Sequence, residues 1–229
     1  MPKEKLSIVK IGGNIIEDDT SLKSFLEIFS GLEGKKILVH GGGKRATSIA
    51  SKLGIESKMV NGRRITDAKT LEVITMVYGG LVNKNIVAQL QALNIDAIGL
   101  TGADANSIYS EKRPVQDIDY GFVGDVKKVN HQSVDKLIEA GFTPVFCAIT
   151  HDGLGQLLNT NADTITSQVA IGMSQIYETT IYYCFELNGV LNDINDKDSV
   201  IKHINSASYS TLLKQGIIAE GMLPKLENC

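Results

Sequence analysis

Apolar residues in this chain follow two rhythms that alternate from end to end. Short aliphatic or β-branched runs at residues 6–11, 37–39, 97–100, 144–149 and 179–185 have the length and composition of strands buried on both faces. Between them lie segments whose apolar positions recur three or four apart. Leu22, Phe25, Leu26 and Phe29 form one such stripe, with Asp18, Asp19 and Thr20 as candidate caps and Gly34 as its close. A helix is expected from near Lys44 to Leu53, where Gly54 suits the position just past a helix end. Thr66 and Asp67 head a long helical stretch. In it Leu71, Ile74, Val77 and Tyr78 share a face that Leu81, Ile86, Val87 and Leu90 continue. Helices over 131–140, 161–173 and 206–215 follow, and residues 107–109 and 122–129 read as hairpin strands around the polar turn 112–120.

This alternation predicts an α/β fold with a mainly parallel central sheet, helices on both faces and one antiparallel hairpin as decoration. A break near 172–176 divides a first lobe, 1–175, from a second, 176–229. The chain has 229 residues, enough for a large core, and its apolar (43 %) and charged (21 %) fractions are those of a soluble globular protein. No apolar run approaches the about 18 residues of a membrane helix. The charged start Met1-Pro2-Lys3-Glu4-Lys5 does not read as a secretion signal, so a cytoplasmic protein is expected. A net charge of −3 without a Lys/Arg block gives no sign of a nucleic-acid partner. Cys147, Cys184 and Cys229 stand singly, which argues against a disulfide framework or a Cys-x-x-Cys metal site. The four histidines show no metal-ligand spacing, and no protein metal site is expected.

Chemistry gathers where strands end in glycine. Lys10-Ile11-Gly12-Gly13-Asn14 and His40-Gly41-Gly42-Gly43-Lys44 each close an apolar strand, and ligands of open α/β sheets bind beyond such ends. Backbone without Cβ atoms can approach an anion closely and turn N–H groups toward it. A helix starting after Gly43 adds a positive dipole end. Either cluster alone is equally a tight strand-to-helix turn; two together could hold one polyphosphate. Neither is a Walker A loop, because Lys44 is followed by Arg45. Gly41–Ala46 fits the loose dinucleotide fingerprint, but the stretch 58–64 is basic where that fingerprint wants an acid, which argues against a nicotinamide enzyme. Arg63 and Arg64 follow the turn Asn61-Gly62, where an arginine either clamps a carboxylate or lies solvated on a loop. In Asn159-Thr160-Asn161-Ala162-Asp163, Asn161 fits a helix cap and Asp163 a first-turn acid, and Asn159 is left for a ligand. Gly221-Met222-Leu223-Pro224-Lys225 is a loop-like stretch with one lysine.

Taken in order, these segments and Gly121-Phe122-Val123-Gly124-Asp125-Val126 resemble the amino acid kinase family across nearly the whole chain. Asn61-Gly62-Arg63-Arg64-Ile65-Thr66 and Asn159–Asp163 resemble more narrowly its members that phosphorylate acylated glutamate. The resemblance implies a three-layer α/β/α sandwich of two lobes, the first binding N-acyl-L-glutamate and forming a homodimer, the second binding ATP with Mg²⁺. It implies Lys10 and Lys225 on opposite sides of the transferring phosphoryl group, with Asp163 holding both. N–H groups of Gly12, Gly13, Gly42 and Gly43 would bind phosphate oxygens. Arg64 would take the substrate α-carboxylate, and Asn159 with Asn161 its acylamino end. The acyl group, acetyl or a larger one such as succinyl, is left open. So are other acceptors within the family (aspartate, glutamate, carbamate or UMP) and a non-catalytic ligand-binding role.

The chain departs from the family pattern after its late strand. Relatives carry an aspartate in a Thr/Ser-Asp-Val-x-Gly turn, where this chain has Phe185-Glu186-Leu187-Asn188-Gly189, so Glu186, Asn188 and Gly189 become the candidate nucleotide contacts. The sequence stops four residues past Lys225, short of the family's further helix and strand, which leads us to expect an incomplete or unusual second lobe. With strand one starting near Leu6, the N-terminal helix of arginine-inhibited relatives is not expected, nor inhibition by arginine through it.

Overall fold

The computed structural model describes residues 2–60, 63–218 and 226. Two compact units divide at 184/185, later than the 175/176 boundary expected from the sequence. The first unit holds five parallel strands: β1 (Lys5–Ile11), β2 (Lys35–His40), β5 (Ala97–Leu100), β8 (Thr143–Cys147) and β11 (Glu178–Cys184). They lie in the order β11-β1-β2-β8-β5. The unit reaches Cys184 because β11 pairs with all seven residues of β1. In the middle of the sheet β1, β2 and β8 are almost continuously buried, as helices on both faces require, whereas the edge strand β11 is only half-buried and carries Tyr182 exposed.

Helices cover the sheet as the alternation predicted. α6 (His131–Glu139) and α7 (Ala162–Met173) pack on each other, α7 against β1, β2 and β11, and α6 against β8. A second group holds α2 (Asp19–Ser30), α3 (Gly43–Lys52), α4 (Ala68–Ile74) and α5 (Asn83–Ala92), with α5 on β5 and β8 and α2 beside it. The caps are those the sequence offered: Asp18 accepts from the Ser21 N–H, Asp67 from Thr70, and Asn161 from both Asp163 and Thr164.

Three features differ from the sequence-based expectation. A five-residue helix α1 (Gly13–Glu17) starts directly on the first glycine turn. Between α4 and α5 the helix winds as a π-helix from Thr75 to Val82. Its wider turns rotate the apolar face, so Val82 is buried where the 3.6-residue period would bury Leu81, which is 39 % exposed. The apolar run 144–149 is not one strand. It leaves the main sheet at Ala148 and re-enters a second sheet as β9 (Ile149–His151). That sheet has the order β10-β9-β6-β7, with β6 (Ile108–Lys112) and β7 (Gly124–Val129) forming the expected antiparallel hairpin and β10 (Leu157–Asn159) leading to α7. A small antiparallel ladder of β3 (Met59–Val60) and β4 (Arg63–Arg64) completes the unit.

The second unit, residues 185–229, contains α8 (Ser206–Lys214), started by a capping box between Asn205 and Ser208. It also holds a turn closed by an antiparallel bridge between Leu191 and Val200. Among the described residues no helix is long and apolar enough to cross a membrane.

Candidate active site

The carboxyl ends of β1, β2 and β8 stand level, since Ile11 registers with His40 and His40 with Cys147. Both glycine turns therefore open on the same edge of the sheet. On the first, the Gly12 N–H donates to the Cys184 carbonyl (2.8 Å), and Gly13 begins α1 with open space where a Cβ would stand. On the second, Gly42 has φ 152°, and a Cβ there would lie 3.0–3.1 Å from the Tyr78 ring. Only glycine accepts both that backbone and that neighbour. The N–H groups of Gly42 and Gly43 have no hydrogen-bond acceptor among the described residues, so the turn presents donors at the head of α3. Lys44, next in line, reaches Asn14 on α1 and spans the gap between the two turns.

Charge is brought to this edge from two directions. Lys10, one residue before the end of β1, is buried, and its Nζ stands 2.8 Å from Asp163 Oδ1 in the first turn of α7. That oxygen receives no aligned hydrogen bond among the described residues, so the contact is ionic. Gly41 approaches Ala162, which sets the second glycine turn against the same helix start. Arg64 is also buried. Its guanidinium donates to Ser57 Oγ (2.7 Å), to the Gly43 carbonyl (3.0 Å) and to Thr47 Oγ1 (2.8 Å), which binds β4 to the head of α3.

Asn159 and Arg64 are joined through Thr66. Asn159 Nδ2 donates to the buried Thr66 hydroxyl (3.0 Å), and the Thr66 backbone pairs with Tyr120 and Phe122 at the base of the hairpin. Gly121 makes this suture fit, because it has φ 71° and a Cβ would meet the Thr66 carbonyl oxygen at 2.2 Å. Asn161 is exposed, with its carboxamide oxygen occupied in capping α7. Glu186, Asn188 and Gly189 lie in the second unit. There Asn188 contacts the Lys197 carbonyl, and Gly189 sits against Val200 at φ 155°. Asn61, Gly62 and Lys225, with residues 221–224, fall outside the described residues.

Several residues shape this edge in ways that a reading by motif does not give. His40 is fully buried between Gly41 and Asn83, and burial lowers its pKa to about 4. Tyr78 packs against Gly42, and burial raises its phenol pKa while Arg64 beside it pulls the other way. One signal was present in the sequence: Asn83 shares a helix face with Ile86 and Leu90, where a polar residue needs a partner.

Two expected outcomes follow from this local geometry. An alanine at Gly42 forces both a left-handed backbone and a clash with Tyr78, and should cost about 1–3 kcal/mol in urea denaturation. Gly13→Ala meets open space and should leave the urea midpoint nearly unmoved. Equal midpoints for the two variants would refute the strain at Gly42. The depressed pKa of His40 has a definite sign. Between its ordinary 6.5 and about 4 the unfolded chain binds a proton that the native state refuses, so stability present at neutral pH is lost on acidification through that window. The loss should be on the order of 3 kcal/mol between pH 7 and 4, and should be missing from His40→Asn when urea midpoints are compared. The same acid slope in that variant would show that His40 is not its source.

Residues 5–229 match the model of the amino acid kinase family, and the chain belongs to that family. Its similarity to particular members is high. It is 60 % identical over 226 residues to the acetylglutamate kinase of Phocaeicola vulgatus, covering 99 % of this chain and 88 % of that protein. It is 58 % identical to the acetylglutamate kinase of Bacteroides fragilis, covering 99 % and 87 %. Among solved structures, smu.665 from Streptococcus mutans superimposes with a TM-score of 0.82 over 97 % of this chain and 88 % of that one, at 22 % identity, a likeness of fold.

Proposed function

We propose that this chain transfers the γ-phosphoryl group of ATP to the side-chain carboxylate of N-acetyl-L-glutamate, giving ADP and an acyl phosphate, a step of arginine biosynthesis. The observation that carries the proposal is the convergence of Lys10, Asp163, Arg64 and both glycine turns on one edge of the sheet. High identity to acetylglutamate kinases over nearly the whole chain supports it.

The chemistry asks for what this edge offers. The nucleophile is a carboxylate, already anionic, so no general base is needed. A carboxylate oxygen forms a bond to γ-phosphorus as the bond to the β-γ bridging oxygen breaks, and that electron pair leaves with ADP. Two anions must be held together, and charge spreads over the phosphoryl oxygens in the transition state. Lys10 would neutralise the phosphoryl group, held in place by Asp163; Lys225, which lies outside the described residues, keeps only the role the family resemblance implies. N–H groups of Gly13, Gly42 and Gly43 would bind its oxygens. Arg64 would receive the substrate α-carboxylate. Asn159, whose amide nitrogen is engaged by Thr66, would accept the acylamino N–H on its carbonyl oxygen, with Asn161 at the same end.

The first lobe would bind acylglutamate and form a homodimer, and the second, with Glu186, Asn188 and Gly189, would bind nucleotide. Mg²⁺ would enter as MgATP, ligated mostly by the nucleotide phosphates and water. A cytoplasmic enzyme fits substrates of this kind. The test is ADP release, followed by a coupled assay, across N-acetylglutamate, N-succinylglutamate, glutamate, aspartate, carbamate and UMP. Turnover with N-acetylglutamate is the expected result. Turnover confined to free glutamate, aspartate, carbamate or UMP would remove acylglutamate as the substrate.

A further inference from the structure

The imidazole of His40 lies beneath the second glycine turn, takes no part in the chemistry above, and is wholly buried. Its Nδ1 is 2.8 Å from the Gly41 carbonyl oxygen, and its Nε2 is 2.9 Å from Asn83 Nδ2. An amide nitrogen only donates, so Nε2 must accept; the ring's single hydrogen is then on Nδ1, which donates to Gly41. Asn83 is itself fixed. The same amide nitrogen donates to the Val145 carbonyl (2.9 Å), and its Oδ1 accepts from Lys84 Nζ (3.2 Å), which also caps the Gly99 carbonyl (3.0 Å). Gly99 leaves room for this arrangement, since a Cβ there would overlap Asn83 Oδ1 at 1.9 Å. A chain of hydrogen bonds thus runs from Gly99 of β5 and Val145 of β8 to the glycine turn on β2.

We propose that Asn83 and His40 are positioning residues: Asn83 selects the Nδ1–H tautomer, and that N–H holds the Gly41 carbonyl inward so that the Gly42 and Gly43 N–H groups face the transferring phosphoryl group. The inference rests on the function proposed above and deepens it. A peptide unit is rigid, so turning the Gly41 carbonyl in one sense turns the Gly42 N–H in the other. Gly41 and Gly42 are flexible residues, and without an anchor the turn would sample orientations that present a carbonyl oxygen to an anion. A neutral ring serves this purpose, and its burial beside Lys84 keeps it neutral at working pH. Fixed donors contribute to catalysis because they need no reorganisation at the moment of reaction.

Two measurements on the full chain test this. The long-range proton–nitrogen NMR spectrum of the His40 imidazole should show hydrogen on Nδ1 and a bare Nε2 throughout pH 5.5 to 8. The opposite tautomer, or an imidazolium, would overturn the proposal whatever the enzyme does. The second is steady-state kinetics of two polar variants. His40→Asn places an amide nitrogen where Nδ1 was and can still donate to Gly41. His40→Gln reaches the Nε2 position and can still meet Asn83, but offers nothing to Gly41. His40→Asn should keep most of the wild-type kcat. His40→Gln should lose on the order of 10²-fold in kcat, the cost of a small misplacement of catalytic donors, with KM for N-acetylglutamate unmoved. Equal kcat in the two variants, or a loss confined to that KM, would refute the positioning role. If the wild-type chain turned over no acylglutamate, the proposed function would fall, and the tautomer spectrum would still decide this inference.

Discussion

Lys10→Ala should lower kcat by about 10²–10³-fold, the usual consequence of removing one donor aimed at developing negative charge. The variant should also be less stable. Lys10 and Asp163 are both buried and 2.8 Å apart, so loss of the ammonium strands a carboxylate in the interior. Breaking such a pair from one side costs about 3–5 kcal/mol, whereas replacing both members by neutral groups of similar size is close to neutral. The two effects can therefore be separated. The double variant Lys10→Met, Asp163→Asn should recover much of the urea midpoint and none of the turnover. If activity returned with stability, the pair would be a fold element and the mechanism proposed here would be wrong.

The second large effect is expected at Arg64. Its planar fork donates at once to Ser57, the Gly43 carbonyl and Thr47, and a lysine ammonium cannot span those acceptors. Arg64→Lys should raise KM for N-acetylglutamate by about 10–100-fold, the equivalent of one charge-assisted hydrogen bond, with a smaller change in kcat. The pattern matters more than the size. A carboxylate clamp contributes about equally to ground state and transition state, so its loss appears in KM for the acceptor. A rise confined to KM for ATP would place the guanidinium on the nucleotide instead.

Both predictions concern residues that the sequence marked, and the reason is physical. A parallel sheet needs long buried runs, and a ligand edge needs glycine where backbone must approach an anion; both leave local patterns. The Asn161 cap and the hairpin 108–129 were legible for the same reason, since caps and turns are local chemistry. What escaped was set by contacts far apart in sequence. The π-helix at Thr75–Val82 shifts the buried face by one residue, and a 3.6-residue period cannot announce that. The apolar run 144–149 serves two sheets because Ala148 turns the chain, a choice made by the strands it meets. Lys36 reads as a charge at a strand start, yet it is buried and its ammonium caps three carbonyls at the end of α2: Phe29, Ser30 and Leu32. Gly121 and Gly124, read as part of a family motif, have steric roles here. One fits against Thr66, and the other would place a Cβ 2.9 Å from Leu158, Thr150 and Thr160.

The central claim is that a carboxylate, and no other nucleophile, receives the phosphoryl group at this edge. Hydroxylamine converts an acyl phosphate to a hydroxamate and leaves phosphate esters alone, so it reads the product's bond directly. With MgATP and N-acetylglutamate the account predicts one hydroxamate formed for each ADP released. ADP released without hydroxamate, in an amount that depends on the acceptor, would contradict it.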